Sequence, residues 1–276
     1  MNIIEIIKKR KSCRTFDHIL LNPSDKKVLE VFINGNTDLI GGELINLKII
    51  EKKDTNKRMG VNYGLIQGHN TYLLGTSESS IDSRVHYGYL LEKVVLKATE
   101  IGISTCWTGY FDNTYFNEIT IGKGSEIPGI VILGYAKDKQ TSLERIAKFA
   151  SNASKRLNWD RLFFNFNSKS PLRPDIISKY SDSLDMVRLA PSSGNTQPWR
   201  IFYDNTDRAF HFFKKPVSRR YEEKGLHDID LGIALSHFEL TSLYNNLSGC
   251  WKKYIKGELN SIDDLQYIIT WVSNQY

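Results

Sequence analysis

Cysteine is scarce in this chain: 276 residues contain three, Cys13, Cys106 and Cys250. They are odd in number, far apart, and lack the close pairs of zinc or thiol–disulfide sites. That excludes a disulfide framework and fits reduced thiols in a cytoplasm. Long apolar runs are missing too. No stretch reaches the ~20 residues that span a bilayer, so no membrane partner is expected. The opening Met-Asn-Ile-Ile-Glu-Ile-Ile-Lys-Lys-Arg places its cations after its apolar residues, the reverse of a secretory leader. His, Cys and Asp nowhere cluster at ligand spacing, so no metal is expected.

What is present reads as an ordinary folded chain. Hydrophobic residues make up 41% and charged residues 25%, the balance of a globular protein with one large domain or two modest ones. The net charge of +6 raises the question of nucleic acid. The cations, however, lie among acids, as in Lys52-Lys53-Asp54, and no nucleic-acid module appears. A basic surface that attracts anionic small molecules is the better reading.

Apolar spacing predicts a helix over 2–11, followed by Lys8-Lys9-Arg10-Lys11-Ser12-Cys13-Arg14-Thr15-Phe16. Cations near a helix C-terminus complement its dipole. Ser12 and Arg14 lie beyond that helix, and with the cations they suit a phosphate, which accepts charge-assisted bonds from forked guanidinium groups. Further elements are predicted as a helix from Ser24 to Ile33, a strand near 46–51, and a helix and strand within 60–78. A long amphipathic helix from His86 to Glu100 leads to Trp107-Thr108-Gly109-Tyr110, and a buried strand covers 127–135. Residues 142–165 read as helix.

Ile177 to Leu189 is helical in spacing, and Trp199 to Tyr203 reads as a strand. Between them runs Ala190-Pro191-Ser192-Ser193-Gly194-Asn195-Thr196-Gln197-Pro198. Pro191 ends the helix, Pro198 launches the strand, and Gly194 and Asn195 can take positive φ. On the residues alone this is either a plain helix-to-strand turn or a polar turn against which a flat ligand lies.

The stretch 191–199 resembles the Pro-Ser-Ser-x-Asn-x-Gln-Pro-Trp loop of nitroreductase-family flavoproteins, and every fixed position is present. Residues 10–16 resemble the family's Arg-Arg/Lys-Ser-x-Arg-x-Phe motif. The resemblance implies FMN as cofactor. Its phosphate would be held by Arg10, Lys11, Ser12 and Arg14, with Arg145, ahead of Lys148, the nearest counterpart of a further basic residue. Its ring and ribityl chain would meet Pro191, Ser192, Ser193, Asn195 and Gln197, and the backbone of Thr108, Gly109 and Tyr110.

The chain also repeats itself. Trp107 aligned on Trp251 without gaps matches Gly88 with Gly232, Leu91 with Leu235, Leu96 with Leu240, Ser104 with Ser248 and Cys106 with Cys250. Each motif nonetheless occurs once, in opposite halves. The resemblance therefore implies an α+β, nitroreductase-like fold of two similar halves, each a mixed sheet flanked by helices about a pseudo-two-fold axis. The expected halves are 1–157 and 158–276, forming a monomer with one composite site. The implied activity passes electrons from NAD(P)H to a nitroaromatic or quinone-type acceptor. An FMN carrier or sensor without turnover is the alternative. No catalytic side chain is expected, because the cofactor carries the chemistry.

Overall fold

The computed structural model describes residues 1–36, 40, 45–52, 65–137, 155–254, 259, 262 and 264–274. Helix α1 (Ile3–Lys9) starts in a capping box: Asn2 Oδ1 accepts from Glu5 N at 2.9 Å, and Glu5 accepts from Asn2 N at 3.1 Å. Helix α2 (Pro23–Gly35) opens on the proline, whose fixed φ suits a first turn. Strands β1 (Lys48–Glu51), β2 (Thr71–Leu74) and β3 (Ser77–Glu78) follow. Helix α3 (Ile81–Glu100) leads into β4 (Ser104–Thr108), and β5 (Ser125–Glu126) and β6 (Ile130–Gly134) complete the first half.

The second half comprises β7 (Phe163–Asn165), α4 (Ser181–Leu189), β8 (Trp199–Asp204) and β9 (Ala209–Lys214). After them come α5 (Arg219–Glu223), α6 (Leu226–Tyr244), β10 (Gly249–Lys252) and β11 (Gln266–Ser273).

The two main sheets share a plan. One has the order β1-β2-β6-β4, all antiparallel. The other has the order β10-β11-β9-β8-β7. Read from β8, it runs β8-β9-β11-β10, again antiparallel, and matches the first strand for strand. The extra edge strand β7 pairs parallel with β8 and alone makes that sheet mixed. A two-stranded ribbon, β3 with β5, stands apart.

Helices α3 and α6 cross at the centre. Between Ser83 and Thr99 only Arg84 and Lys97 escape burial, and α6 is buried without a break from Leu226 to Phe238. The amphipathic pattern expected of 86–100 is therefore wrong. The helix starts earlier, at Ile81, where Ser80 Oγ caps Ser83 N at 3.1 Å, and it is walled in on nearly all sides. It packs on β4 and β6 of its own sheet, on α1 and α2, and on α6. Its polar residues sit in the core because they are paired there, not because one face is wet.

The crossing is set by glycine. A Cβ at Gly232 would fall 1.9 Å from the Val85 carbonyl oxygen, and one at Gly88 would fall 2.3 Å from that of Ile229. Gly88 to Gly232 and Val85 to Ile229 are the same step of 144 residues, so the two approaches are equivalent under the repeat. Only glycine allows backbones this close.

Two other helix predictions change. Of 142–165, residues 142–154 lie outside the described residues. The remainder forms one 3-10 turn (Trp159–Arg161) and then β7, with Trp159 and Phe163 packed edge to face at 4.5 Å. Aromatic residues suited to a strand outweigh the helical spacing there. The helix expected within 60–78 falls partly outside the described residues, and its described part carries β2 and β3. None of the three cysteines is in a disulfide; Cys13 and Cys106 are buried and Cys250 is exposed. Among the described residues no helix is long and apolar enough to cross a membrane.

Candidate functional site

Arg10 is the C-cap of α1, and the chain leaves it in an extended segment beside β4. Ser12 forms a parallel bridge with Thr105, and Cys13 N donates to Thr105 O at 2.9 Å. Phe16 N donates to Gln67 O at 2.9 Å, and the Phe16 ring is buried against Gly134 at the end of β6. Extended backbone alternates its side chains. Cys13 and Thr15 thus turn inward, while Ser12 and Arg14 are half-buried and Lys11 is exposed. Arg14 makes no side-chain bond among the described residues. Arg10 has a buried Nε without a hydrogen-bond partner. Desolvation lowers its guanidinium below the usual arginine range, and the Glu92 carboxylate offsets part of that.

The loop after α4 takes the conformation its residues suggested. Gly194 has φ +58° and Asn195 φ +57°; Gln197, at φ +48°, does the same unforeseen. Ser192 Oγ accepts from Gln197 N at 2.9 Å. Ser193 donates twice to Asp230 Oδ1 on α6, from its N at 2.9 Å and its Oγ at 3.2 Å. Asn195 Nδ2 donates to Lys155 O at 2.6 Å. Gln197 is buried, with Oε1 accepting from Leu157 N at 2.9 Å and Nε2 donating to Asn195 O at 3.2 Å. Its amide ties the loop to 155–157.

The N-terminal segment and this loop meet through Arg156. Arg156 donates to Asn195 Oδ1 at 2.7 Å and to the Leu189 carbonyl, at the end of α4, at 3.2 Å. Burial pushes its guanidinium down to about 10, and repulsion from Arg10 and then Arg188 adds to the effect. Arginines from the two halves thus stand within reach of one another's charge. Beneath them α1 packs on α4 through Ile6, Ile7 and Met186, which sets that distance. A cluster of like charges partly withdrawn from water has the chemistry to receive an anion.

The third segment converges on the same place. Thr108 ends β4, and a Cβ at Gly109 would meet the Leu226 side chain at 2.4 Å. Tyr110 packs on Tyr221 of α5 at 6.4 Å between ring centroids, with the Arg220 guanidinium 4.5 Å from its ring centre. Tyr221 also covers Gly194, where a Cβ would lie 2.7 Å from its ring. Segment 108–110 and loop 191–197 therefore face each other across Tyr221, and the first turn of α6 supports both.

Asp230 on that turn is buried, and desolvation raises its carboxyl above the usual range; bonds from His227 and Ser193 offset part of the rise. His227 Nδ1 is 3.4 Å from Asp230 Oδ2. Nothing in a sequence motif announced Arg156, Tyr221 or Asp230. One signal existed for Arg156, because the 144-residue step carries Ser12 onto it. Arg145 lies outside the described residues. No group of three or more His, Cys, Asp or Glu suited to a metal occurs among the described residues.

This two-sheet architecture is that of a nitroreductase-fold protein. A crystal structure of a putative nitroreductase from Thermotoga maritima MSB8 matches over 100% of this chain and 95% of its own, with 23% identity and a TM-score of 0.63. The family described as "Putative TM nitroreductase" matches residues 2–242, and the chain belongs to it. Half-length likenesses also occur. A nitroreductase with bound FMN from Bacteroides fragilis NCTC 9343 matches over 51% of this chain and 91% of its own, at 17% identity and a TM-score of 0.42. An FMN-dependent nitroreductase from Clostridium difficile R20291 matches over 50% and 92%, at 14% identity and a TM-score of 0.40. No curated protein matches the chain.

Proposed function

We propose that this protein is an FMN-dependent oxidoreductase that takes electrons from NAD(P)H and passes them to a nitroaromatic or quinone-type acceptor. The observation that carries the reading is the meeting of Arg10, with its buried unpartnered Nε, and Arg156, which holds Asn195 of the loop. That arrangement fits the phosphate end of FMN. Arg10, Lys11, Ser12 and Arg14 would hold it, joined by Arg156 and, from outside the described residues, Arg145. Pro191, Ser192, Ser193 and Asn195 would flank the ring on one side and the backbone of Thr108, Gly109 and Tyr110 on the other, with Tyr221 between them. Bound FMN supplies the two-electron chemistry. The protein's residues fix the ligand, exclude water from one side, and aim backbone donors at its polar edge.

The halves are proposed as 1–157 and 158–276, with 155–157 already bonded to the second half's loop. The molecule acts as a monomeric pseudo-dimer.

The purified protein is expected to be yellow and to oxidise NADH or NADPH with menadione or a nitrofuran. Flavin bound without such turnover would identify a carrier or sensor. Arg14→Ala removes a side chain that makes no bond among the described residues. It should weaken FMN binding by roughly 1.5–3 kcal/mol, the range for a hydrogen bond to a charged group. Riboflavin, which lacks the phosphate, should be indifferent. Equal losses for both flavins would remove Arg14 from the phosphate site.

A further inference from the structure

Helix α5 carries two pairs of charged residues at the i, i+4 spacing that sets side chains on one face. Arg219 and Glu223 are opposite in sign, exposed, and paired at 2.7 Å. Arg220 and Lys224, the latter capping the helix, are alike in sign and also exposed. Like charges at this spacing cost a helix stability. The acids beside them are taken, Glu223 by Arg219 and Glu222 by Lys214, and among the described residues neither cation meets a carboxylate. Both lie over one ring instead. The Arg220 guanidinium is 4.5 Å and Lys224 Nζ 4.7 Å from the centre of Tyr110. A single cation would suffice for the negative face of that ring.

The helix that presents them is anchored. Lys214, 1% exposed at the end of β9, pairs at 2.6 Å with Glu222 of α5 and at 2.6 Å with Asp228 of α6. Asp228 in turn reaches Arg84 of α3 at 3.4 Å. Gly225 closes the corner between α5 and α6 at φ +65°, where a Cβ would fall 2.4 Å from the Arg84 side chain. The two cations therefore stand on a fixed support at the edge of segment 108–110. The repeat provides an internal comparison. The step of 144 residues relates Tyr110 to Tyr254, but Arg220 to Thr76 and Lys224 to Ser80. Tyr254 packs on His211 at 6.1 Å between ring centroids. The tyrosine thus recurs without the cations, which occur only where segment 108–110 faces the 191–197 loop.

We infer that Arg220 and Lys224 are specificity-determining residues that recognise a phosphate monoester on the electron donor, so that the protein takes the 2′-phosphorylated dinucleotide, NADPH, in preference to NADH. The naming of the donor rests on the oxidoreductase reading; the recognition of phosphate does not. A phosphate monoester carries a charge of about −1.5 to −2 near neutral pH, which matches two cations. The guanidinium offers forked N–H donors to its oxygens, and the ammonium adds a point charge. The nicotinamide end of such a donor belongs inside the site, beside the 191–197 loop, so its adenosine end extends to the rim, where α5 exposes both side chains. A neutral quinone or nitroaromatic has no charge to offer them, and the pair therefore serves the donor and not the acceptor.

The test compares kcat/KM for NADPH and NADH in the flavin-loaded wild type, Arg220→Ala, Lys224→Ala and the double variant. Wild type should prefer NADPH. The double variant should lose about tenfold of that preference, the order for a hydrogen bond to a charged group, and lose it through the KM for NADPH. Each single variant should lose part of it. Arg219→Ala, whose charge is already paired, should keep the preference. A second readout needs no turnover: in flavin-free wild type, 2′,5′-ADP should raise the Tm by more than 5′-AMP, and in the double variant the two should act alike. A wild type with no preference for NADPH would overturn the inference. So would a double variant in which both dinucleotides lose equally, because the cations would then serve packing on Tyr110 or the pyrophosphate that both donors share. A wild type that binds no flavin would defeat the FMN reading instead. The nucleotide comparison would then decide: a larger shift with 2′,5′-ADP supports the phosphate site, and equal shifts overturn it.

Discussion

Asp230 concentrates the demands of the site in one side chain. It accepts both donors of Ser193 and faces His227, yet it is almost wholly withdrawn from water. Its carboxyl titrates above the usual range because desolvation outweighs those bonds. The native protein therefore keeps a proton that the unfolded chain releases near pH ~4, the ordinary carboxylate value. Stability must fall as pH rises from there through the raised pKa. Asp228, raised for the same first reason, adds to the slope. Asp230→Asn has no proton to release, so urea unfolding of the flavin-free protein between about pH 4 and 7 should show a flatter dependence than wild type. An unchanged slope would mean that Asp230 is not the group responsible. At this scale the sequence showed the residues of recognisable patterns: Arg10, Ser12, Arg14, Ser193 and Asn195. It did not show their holders. Asp230 is an ordinary polar position in a helix until the fold brings Ser193 to it. Arg156 belongs to a stretch with no pattern of its own.

The elements were legible where local chemistry and tertiary packing agree. Strand β8 and the turn before it follow from two prolines and a β-branched, aromatic run, and the structure places them as the residues suggest. Helix α3 was legible in existence but not in character. Its paired polar core residues, Glu92 and Lys93 among them, imitate a wet face. The residues 155–165 failed for the opposite reason, because pairing with β8 overrides helical spacing. The α3–α6 crossing yields its own test. Gly232→Ala places a methyl group against the Val85 backbone, which cannot rotate away as a side chain could. The variant should lose about 1–3 kcal/mol, the usual cost of overpacking, and Gly88→Ala should behave alike. If either alanine left the urea midpoint unmoved, the crossing would have to be looser than 1.9–2.3 Å implies.

For the whole molecule, the matching strand orders and the paired glycine contacts describe two halves that complete one interior. Linking them makes their association intramolecular, at high effective concentration. On the proposed reading the site would draw Arg10 and Thr108–Tyr110 from one half and the 191–197 loop from the other. At the position reciprocal to Thr108 and Gly109, Lys252 and Lys253 follow Trp251, and Lys253 pairs with Asp82. A monomer carrying one FMN per chain is the expected stoichiometry, read by light scattering together with flavin titration. Two FMN per chain would mean that the reciprocal site functions. An obligate dimer with flavin between chains would replace the single-chain arrangement. The repeat and the single occurrence of each motif are what suggest this organisation in the sequence. Which side chains connect the halves did not follow, because contacts between residues so far apart leave no local trace.

The burial of α3 also has a consequence for synthesis of the chain. This helix is apolar or internally paired on nearly every side, and its partner at the crossing lies 144 residues downstream. At translation speeds of ~5–20 residues per second, the ribosome needs roughly 7–30 s to proceed from Gly88 to Gly232. During that interval the first half has emerged, but the backbone that Gly88 is shaped to receive does not yet exist. The nascent chain must spend that time with its central helix uncovered, as a client for whatever chaperone shields apolar surface at the exit tunnel.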